Sequence, residues 1–188
     1  MTVGFAFTGS FCTFRAAMEA LRSVKETFGS AVPVFSEHAA TMDTRFGKAA
    51  DFVREAEEIC GVPAITTIAQ AEPIGPKKLF DALVICPCTG NTMAKIAGGV
   101  NDTAVTMAAK SQLRNGRPVI LAPSTNDGLS ASAANLGLLL NRRHIYLVPF
   151  RQDDPEKKPR SLTADLTLLC ETISAAMEGR QLQPIVRG

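Results

Sequence analysis

The sequence predicts an α/β protein in which a doubly wound parallel sheet is covered by helices on both faces, in three layers. Three observations lead there. Five short runs are almost wholly apolar, as strands buried on both faces must be. Between them, apolar residues recur at every third or fourth position, the helical period. Several of the apolar runs end in clusters of Gly, Pro, Ser, Thr and Asn, at the edge where open parallel sheets bind ligands.

The elements follow in order. Residues 3–8 form the first strand and run through Gly9-Ser10 into a helix over 14–28, marked by Ala17, Leu21, Val24 and Phe28. Gly29 ends that helix, because glycine tolerates a left-handed cap. Residues 31–36 are the second strand. A polar loop, E-H-A-A-T-M-D-T-R-F-G, leads to a helix over 48–60, stopped by Gly61-Val62-Pro63. Residues 64–76 read as irregular loop. The third strand is 81–86, followed by helices near 91–97 and 103–115 on either side of G-G-V-N-D. The fourth strand is 117–122, with a helix over 129–141 behind it, and the fifth is 145–149. R-Q-D-D-P-E-K-K-P reads as a solvated loop before a last helix over 163–177. The tail, 179–188, is expected to be extended and weakly ordered. With no repeat and no linker, residues 1–188 make one domain with its core over about 3–178. Right-handed crossovers then give a Rossmann-like or flavodoxin-like topology.

Composition narrows the function. A chain of 188 residues, 46% hydrophobic, can bury one sizeable core. Twenty basic and 18 acidic residues are well mixed, net +2, so there is no basic footprint for nucleic acid. No apolar run is long enough to span a membrane, and the first strand is too short for a signal sequence. A cytoplasmic location is therefore expected. The five cysteines, Cys12, Cys60, Cys86, Cys88 and Cys170, read as reduced thiols. Cys86-Pro87-Cys88 lacks the spacing and companion ligands of a zinc site, and His38 and His144 do not complete one.

The strand ends carry the candidate chemistry. After the first strand, Gly9 permits a tight turn while Ser10 and Thr13 offer hydroxyls in front of a helix N-terminus, a place suited to one phosphate. With Gly9 alone and no second or third glycine, a monophosphate suits the loop better than a dinucleotide. The alternative is that Ser10 or Thr13 merely caps the helix. After the third strand, Thr89, Gly90, Asn91 and Thr92 crowd a helix start, and capping explains one of those polar groups. After the fourth, Pro123 precedes Ser124, Thr125 and Asn126. Two strands that each reach a proline and then small polar residues point to one shared pocket. Ser36 ends the second strand. Asn91 and Asn126 are the candidates for a reacting role. Leu138-Leu139-Leu140 and the helix around 104–109 carry more apolar surface than a covered sheet needs, which predicts association.

These motifs resemble a family. Strand-T-G-S, then P-C-T-G-N-T-M-A-K-I-A-G-G-V-N-D, then A-P-S-T-N-D is similar to the flavoprotein family of phosphopantothenoylcysteine decarboxylases, lantibiotic-peptide decarboxylases and flavin prenyltransferases, over roughly residues 3–150. D-T-R-F-G, A-E-P-I-G-P-K, M-A-A-K-S-Q-L-R-N-G-R-P-V, P-F-R-Q-D-D-P-x-K-K-P and the C-terminal L-Q-P-I resemble, over nearly the whole chain, the B subunits of dipicolinate synthase from spore-forming bacteria. The resemblance implies a flavoprotein fold and an FMN cofactor. It places Gly9, Ser10 and Ser36 at the phosphate, Thr89, Gly90, Asn91 and Thr92 around the flavin and the reacting group, and Ser124, Thr125 and Asn126 in the third motif. It further implies a partner, the A subunit of dipicolinate synthase, with which a dihydrodipicolinate-type precursor is oxidised to dipicolinate in the mother cell. NAD(P) would then belong to the partner. Arg45, in D-T-R-F-G, would hold a carboxylate of the substrate through its planar fork. The alternative for Arg45 is an ion pair with Asp43 or Asp51. This chain departs from the decarboxylases in having no Met in the third motif and no clear match for their active-site His, His38 lying only in the right region. A stand-alone FMN-dependent decarboxylase or prenyltransferase, or a scaffold that has lost its cofactor, are the other readings.

Overall fold

A computed structural model describes residues 1–188. Its strands are β1 (Thr2–Phe7), β2 (Ser30–Phe35), β3 (Ala82–Cys88), β4 (Val119–Thr125), β5 (Ile145–Leu147), β6 (Phe150–Asp154) and β7 (Lys158–Ala164). The helices are α1 (Phe14–Phe28), α2 (Glu37–Thr41), α3 (Ala49–Cys60), α4 (Ile68–Ala71), α5 (Ile74–Lys77), α6 (Gly90–Gly98), α7 (Ala104–Arg114), α8 (Ala133–Leu140) and α9 (Leu169–Met177).

The first five strands are parallel and ordered β2-β1-β3-β4-β5. All five carboxyl ends therefore lie along one edge, and the winding direction reverses between β1 and β3. That switch point is where a doubly wound sheet opens a crevice for a ligand. The alternation of a strand distributes its side chains between two cores. Val3, Phe5 and Phe7 join a cluster of 25 buried residues with α1, α3 and α9. Ala6, Leu83 and Ile85 join a second, of 22, with α7 and α8. Phe7 stacks on Phe35 at 4.6 Å between ring centroids and meets Phe14 edge-on at 5.7 Å, so the roots of the β1 and β2 loops are fixed by aromatic packing. The expected glycine caps are present: Gly29 (φ 83°) closes α1 and Gly61 (φ 73°) closes α3.

Several expectations are corrected. Neither Pro87 nor Pro123 ends its strand. β3 and β4 run on to Cys88 and Thr125, with a register shift between Ile85 and Cys88 where the proline interrupts the ladder. The shift reverses the alternation, so Cys86 lies in the first core and Cys88 in the second. Two thiols on opposite faces cannot ligate one metal ion. The polar stretch after residue 149 is a hairpin, β6–β7, not a loop, and β7 extends the outer edge of β4 antiparallel through Ser124 and Thr125. As a result the last helix begins at Leu169, after β7 and a short 3-10 turn. Short helices α2, α4 and α5 occupy segments expected to be loop. The tail is held to β5 and β6: Gln181 bonds the Leu147 carbonyl at 2.7 Å and N–H at 2.8 Å, and the Phe150 N–H donates to the Ile185 carbonyl at 2.9 Å. Most apolar residues of α7 are internal; Ala104, Val105, Ala108 and Ala109 are buried and Met107 is half-buried, and only Leu138 and Leu140 of the predicted association residues are exposed.

Candidate functional site

Two adjoining clefts lie at the carboxyl ends of the strands, beside the β1/β3 switch. The larger, about 1050 Å³, is lined by the β1–α1 loop, the start of α6, the end of β4 and β7. The smaller, about 390 Å³, lies toward β2 and α2. Gly9, Phe11, Thr89 and Asn91 line both. The clefts bring together every strand-end residue predicted from sequence. Gly9, Ser10, Thr13, Thr89, Gly90, Asn91, Ser124, Thr125, Asn126 and Arg45 line the larger; Ser36 and Thr92 line the smaller, with His38. A third cavity of about 650 Å³, between α2, α3 and α4, holds none of them.

The loops are tied to each other by hydroxyls. Buried Thr8 donates to the Pro87 carbonyl at 2.7 Å and accepts the Thr89 N–H at 3.2 Å, which locks the end of β1 to the end of β3. Ser10 Oγ and Thr13 Oγ1 each lie 2.9 Å from Ser124 Oγ, and 3.3 Å from one another. Neither Ser10 nor Thr13 makes a side-chain cap bond, so the capping alternative does not apply to them. Three neutral hydroxyls from two strand ends instead converge on one point. Their mutual bonds can be exchanged for bonds to an anion, to which all three can donate.

Capping does account for two other residues. Ser36 Oγ accepts the Ala39 N–H at 3.4 Å at the start of α2, and Thr89 Oγ1 accepts the Thr92 N–H at 3.2 Å at the start of α6. Asn91 and Asn126 are exposed into the clefts and cap nothing; Thr89 is the cap of α6. Asn91→Ala or Asn126→Ala is accordingly expected to shift the melting temperature by no more than ~2 °C, the range of a surface substitution. Ligand affinity should fall by ~10-fold, the scale of one lost hydrogen bond. Thermal scans beside ligand titrations check this, and a lower melting temperature with binding intact would return the residue to a structural role.

Arg45 sits with Phe46 at the tip of a two-residue hairpin closed by Thr44 and Gly47, whose backbones exchange hydrogen bonds at 3.0 and 3.1 Å. Its guanidinium lies 4.9 Å from the Phe46 ring centroid. The ion-pair alternative is not realised: Asp51 pairs with Arg54 at 2.6 Å, and Asp43 accepts the Ala49 N–H at 2.9 Å.

Four charged residues of the clefts, Lys95, Asp127, Asp153 and Lys158, are not marked out by the sequence. Lys95 lines the smaller cleft and is held by both oxygens of Asp102 at 2.8 Å. Lys158, in the stretch expected to be a solvated loop, lines the larger and pairs with Asp153 at 2.6 Å. Asp127 accepts hydrogen bonds from Thr125 Oγ1 at 2.5 Å and Ser132 Oγ at 2.9 Å. The Thr125 bond, and after it the Ser132 bond, hold its carboxyl below the usual carboxylate range despite partial burial. A proline followed by small polar residues distinguishes Ser124–Asn126; Asp127 belongs to the same segment, but nothing in its spacing sets it apart.

A family model described as Flavoprotein matches residues 1–177. The B subunit of dipicolinate synthase from Bacillus subtilis (strain 168) is 43% identical over 184 residues, 98% of this chain and 92% of that protein. The crystal structure of the dipicolinate synthase B subunit from Bacillus halodurans superposes with a TM-score of 0.91 at 38% identity, covering 100% of this chain and 96% of the other. The dodecameric FMN-dependent UbiX-like decarboxylase of Escherichia coli O157:H7 shares the fold at a TM-score of 0.64 and 24% identity, over 79% of this chain and 80% of that one. The chain therefore belongs to the flavoprotein family, among the relatives of the dipicolinate synthase B subunits.

Proposed function

We propose that this chain is the B subunit of a two-component oxidoreductase, dipicolinate synthase, that converts a dihydrodipicolinate-type precursor to dipicolinate in the cytoplasm of a sporulating mother cell. The observation that carries the reading is identity of 43% extending over 98% of the chain, clefts and tail alike. The residues present fit an FMN cofactor. Ser10, Thr13 and Ser124 form an uncharged cluster of donors that contains no carboxylate to repel a phosphate. Lys95 adds a cation to the adjoining cleft, and together the clefts leave room beside the β1/β3 switch. Gly9, Ser10, Thr13 and Ser36 would hold the phosphate; Thr89, Gly90, Asn91, Thr92, Thr125 and Asn126 would line the flavin and the reacting group. When bound, a flavin supplies a two-electron acceptor. The protein's own part is to seat a ring dicarboxylate, with Arg45 above the larger cleft as a fork for one carboxylate. The loop after β1 has no dinucleotide fingerprint, so a nicotinamide cofactor belongs to the A subunit.

Purified protein is expected to keep an absorbance band near ~450 nm through gel filtration. Dipicolinate should form when this chain and the A subunit are combined, and with neither alone. Dipicolinate formed by this chain alone would remove the need for the A subunit, and full activity of the A subunit without it would reduce this chain to a scaffold. Arg45→Lys keeps the charge and loses the fork. It should raise KM by at least ~10-fold, with flavin binding and docking to the partner unchanged. Unaltered kinetics in Arg45→Ala would leave Arg45 a surface residue. Leu138, 62% exposed, and Leu140 give α8 an apolar outer face for contact with the A subunit or with another copy.

A further inference from the structure

Asp127 stands among neutral hydroxyls at the end of β4, and binding of a phosphate or of a dicarboxylate gives no reason for a carboxylate there. The surrounding structure nevertheless fixes it. Thr125 and Ser132 both donate to Oδ1. The Asp127 carbonyl accepts the Ser130 and Ser132 N–H groups at 2.9 and 3.2 Å. Gly90 leaves the room the cluster needs: a Cβ there would lie 2.8 Å from Oδ1. The cations of the same cleft are engaged elsewhere, Lys158 with Asp153 and Arg45 over Phe46. Oδ2 makes no hydrogen bond within the protein, and the residue lines the larger cleft. An ionised, half-buried carboxylate without a cationic partner is costly unless something donates to it. Fixed by two donors, it is also a weak base, better suited to receiving an N–H than to removing a proton.

We propose that Asp127 reads a ring N–H of the heterocycle bound in the larger cleft, and so favours the N–H-bearing form of that ligand. The inference rests on the cofactor and substrate reading above. Two ligands offer the donor: the flavin at its N3–H, and a dihydropyridine dicarboxylate at its ring nitrogen when held as the 1,2- or 1,4-dihydro form, the 2,3-dihydro form being an imine without one. The aromatised dicarboxylate presents only a lone pair, which a carboxylate repels. If the donor is the substrate's, the same residue that seats the reduced ring disfavours the product.

Calorimetric titration of the wild type and Asp127→Asn with FMN, N3-methyl-FMN, dipicolinate and its piperidine analogue tests this. The wild type should prefer FMN over its N3-methyl form, or the piperidine over dipicolinate, by at least ~10-fold, the scale of a hydrogen bond to a charged group. Asp127→Asn should bring that ratio to within ~3-fold. The pair that responds identifies the source of the donor. If the Asn variant does not fold, Asp127→Ser replaces it, since a small hydroxyl can satisfy Thr125 and Ser132 without charge, and the same loss of preference is expected. A wild type that discriminates in neither pair, or a variant that discriminates as the wild type does, overturns the proposal and leaves Asp127 a structural clamp. A wild type that binds none of the four compounds overturns the cofactor and substrate reading as well.

Discussion

Ser10→Asp is expected to abolish binding of FMN, or of any phosphate monoester, while the protein stays folded. Ser10 Oγ lies 2.9 Å from Ser124 Oγ and 3.3 Å from Thr13 Oγ1. A carboxylate at this position would point into the cluster proposed to hold the phosphate. Two like unit charges about 4 Å apart repel by about 4 kcal/mol near a protein surface, and a phosphate carries more than one. That corresponds to a loss of roughly a thousandfold in affinity. The fold has no reason to fail. Ser10 is only half-buried and its side chain caps no helix, and the new carboxylate can accept from both neighbouring hydroxyls. Ser10→Ala separates charge from mere loss of a donor: it should weaken binding by about tenfold, one hydrogen bond's worth. Flavin fluorescence titration beside a thermal melt checks both. If Ser10→Asp is soluble and binds FMN as tightly as the wild type, the phosphate does not sit there.

The sheet is legible in the sequence because its strands obey rules that act locally. Residues such as Val84, Ile85 and Leu121 are apolar because both faces of the sheet are covered, and Gly29 and Gly61 stop helices wherever those helices pack. What depends on the partner strand is not legible. Pro87 reads as a terminator, but β3 and β4 accommodate it with a register shift, so the ladder continues past the residue that cannot donate. The β6–β7 hairpin is hidden because its strands alternate weakly; Lys158, Pro159 and Arg160 are exposed, and only Ser161 and Leu162 of that strand are buried. The strand-end cluster is visible as residue types, yet its wiring is not. Nothing in the spacing of Ser10, Thr13 and Ser124 reveals that they share hydrogen bonds across 111 residues or more of chain. Asp127 and Lys95 look like surface charges in sequence. Only the closeness of α6 to the β4 loop marks Asp127 as part of the cleft.

That closeness depends on Gly90, and Gly90→Ala is expected to destabilise the protein and weaken ligand binding together. The added Cβ would lie 2.4 Å from Ser132 Oγ, and 2.8 Å from both Asp127 Oδ1 and Thr125 Oγ1. None of the three can step aside freely, because each is bonded to another: Thr125 to Asp127 at 2.5 Å and Ser132 to Asp127 at 2.9 Å. Two effects compete. Alanine is favoured over glycine in a helix by up to about 1 kcal/mol, less at the first helical position, where Gly90 stands. Overpacking costs about 1–3 kcal/mol, and breaking a bond to an ionised carboxylate adds to that. The clash should win by about 2 kcal/mol, which lowers the melting temperature by about 4–8 °C in a chain of this size. Gly137, inside α8 with nothing near its Cβ position, supplies the control: Gly137→Ala carries the propensity gain without the clash and should stabilise. Gly90→Ala combined with Ser132→Gly removes the shortest contact and should recover part of the loss, a non-additivity that a double-mutant cycle reads directly. Equal melting temperatures for Gly90→Ala and Gly137→Ala would mean that the β4 loop yields to the methyl group, and that Asp127 is not held against α6 as described.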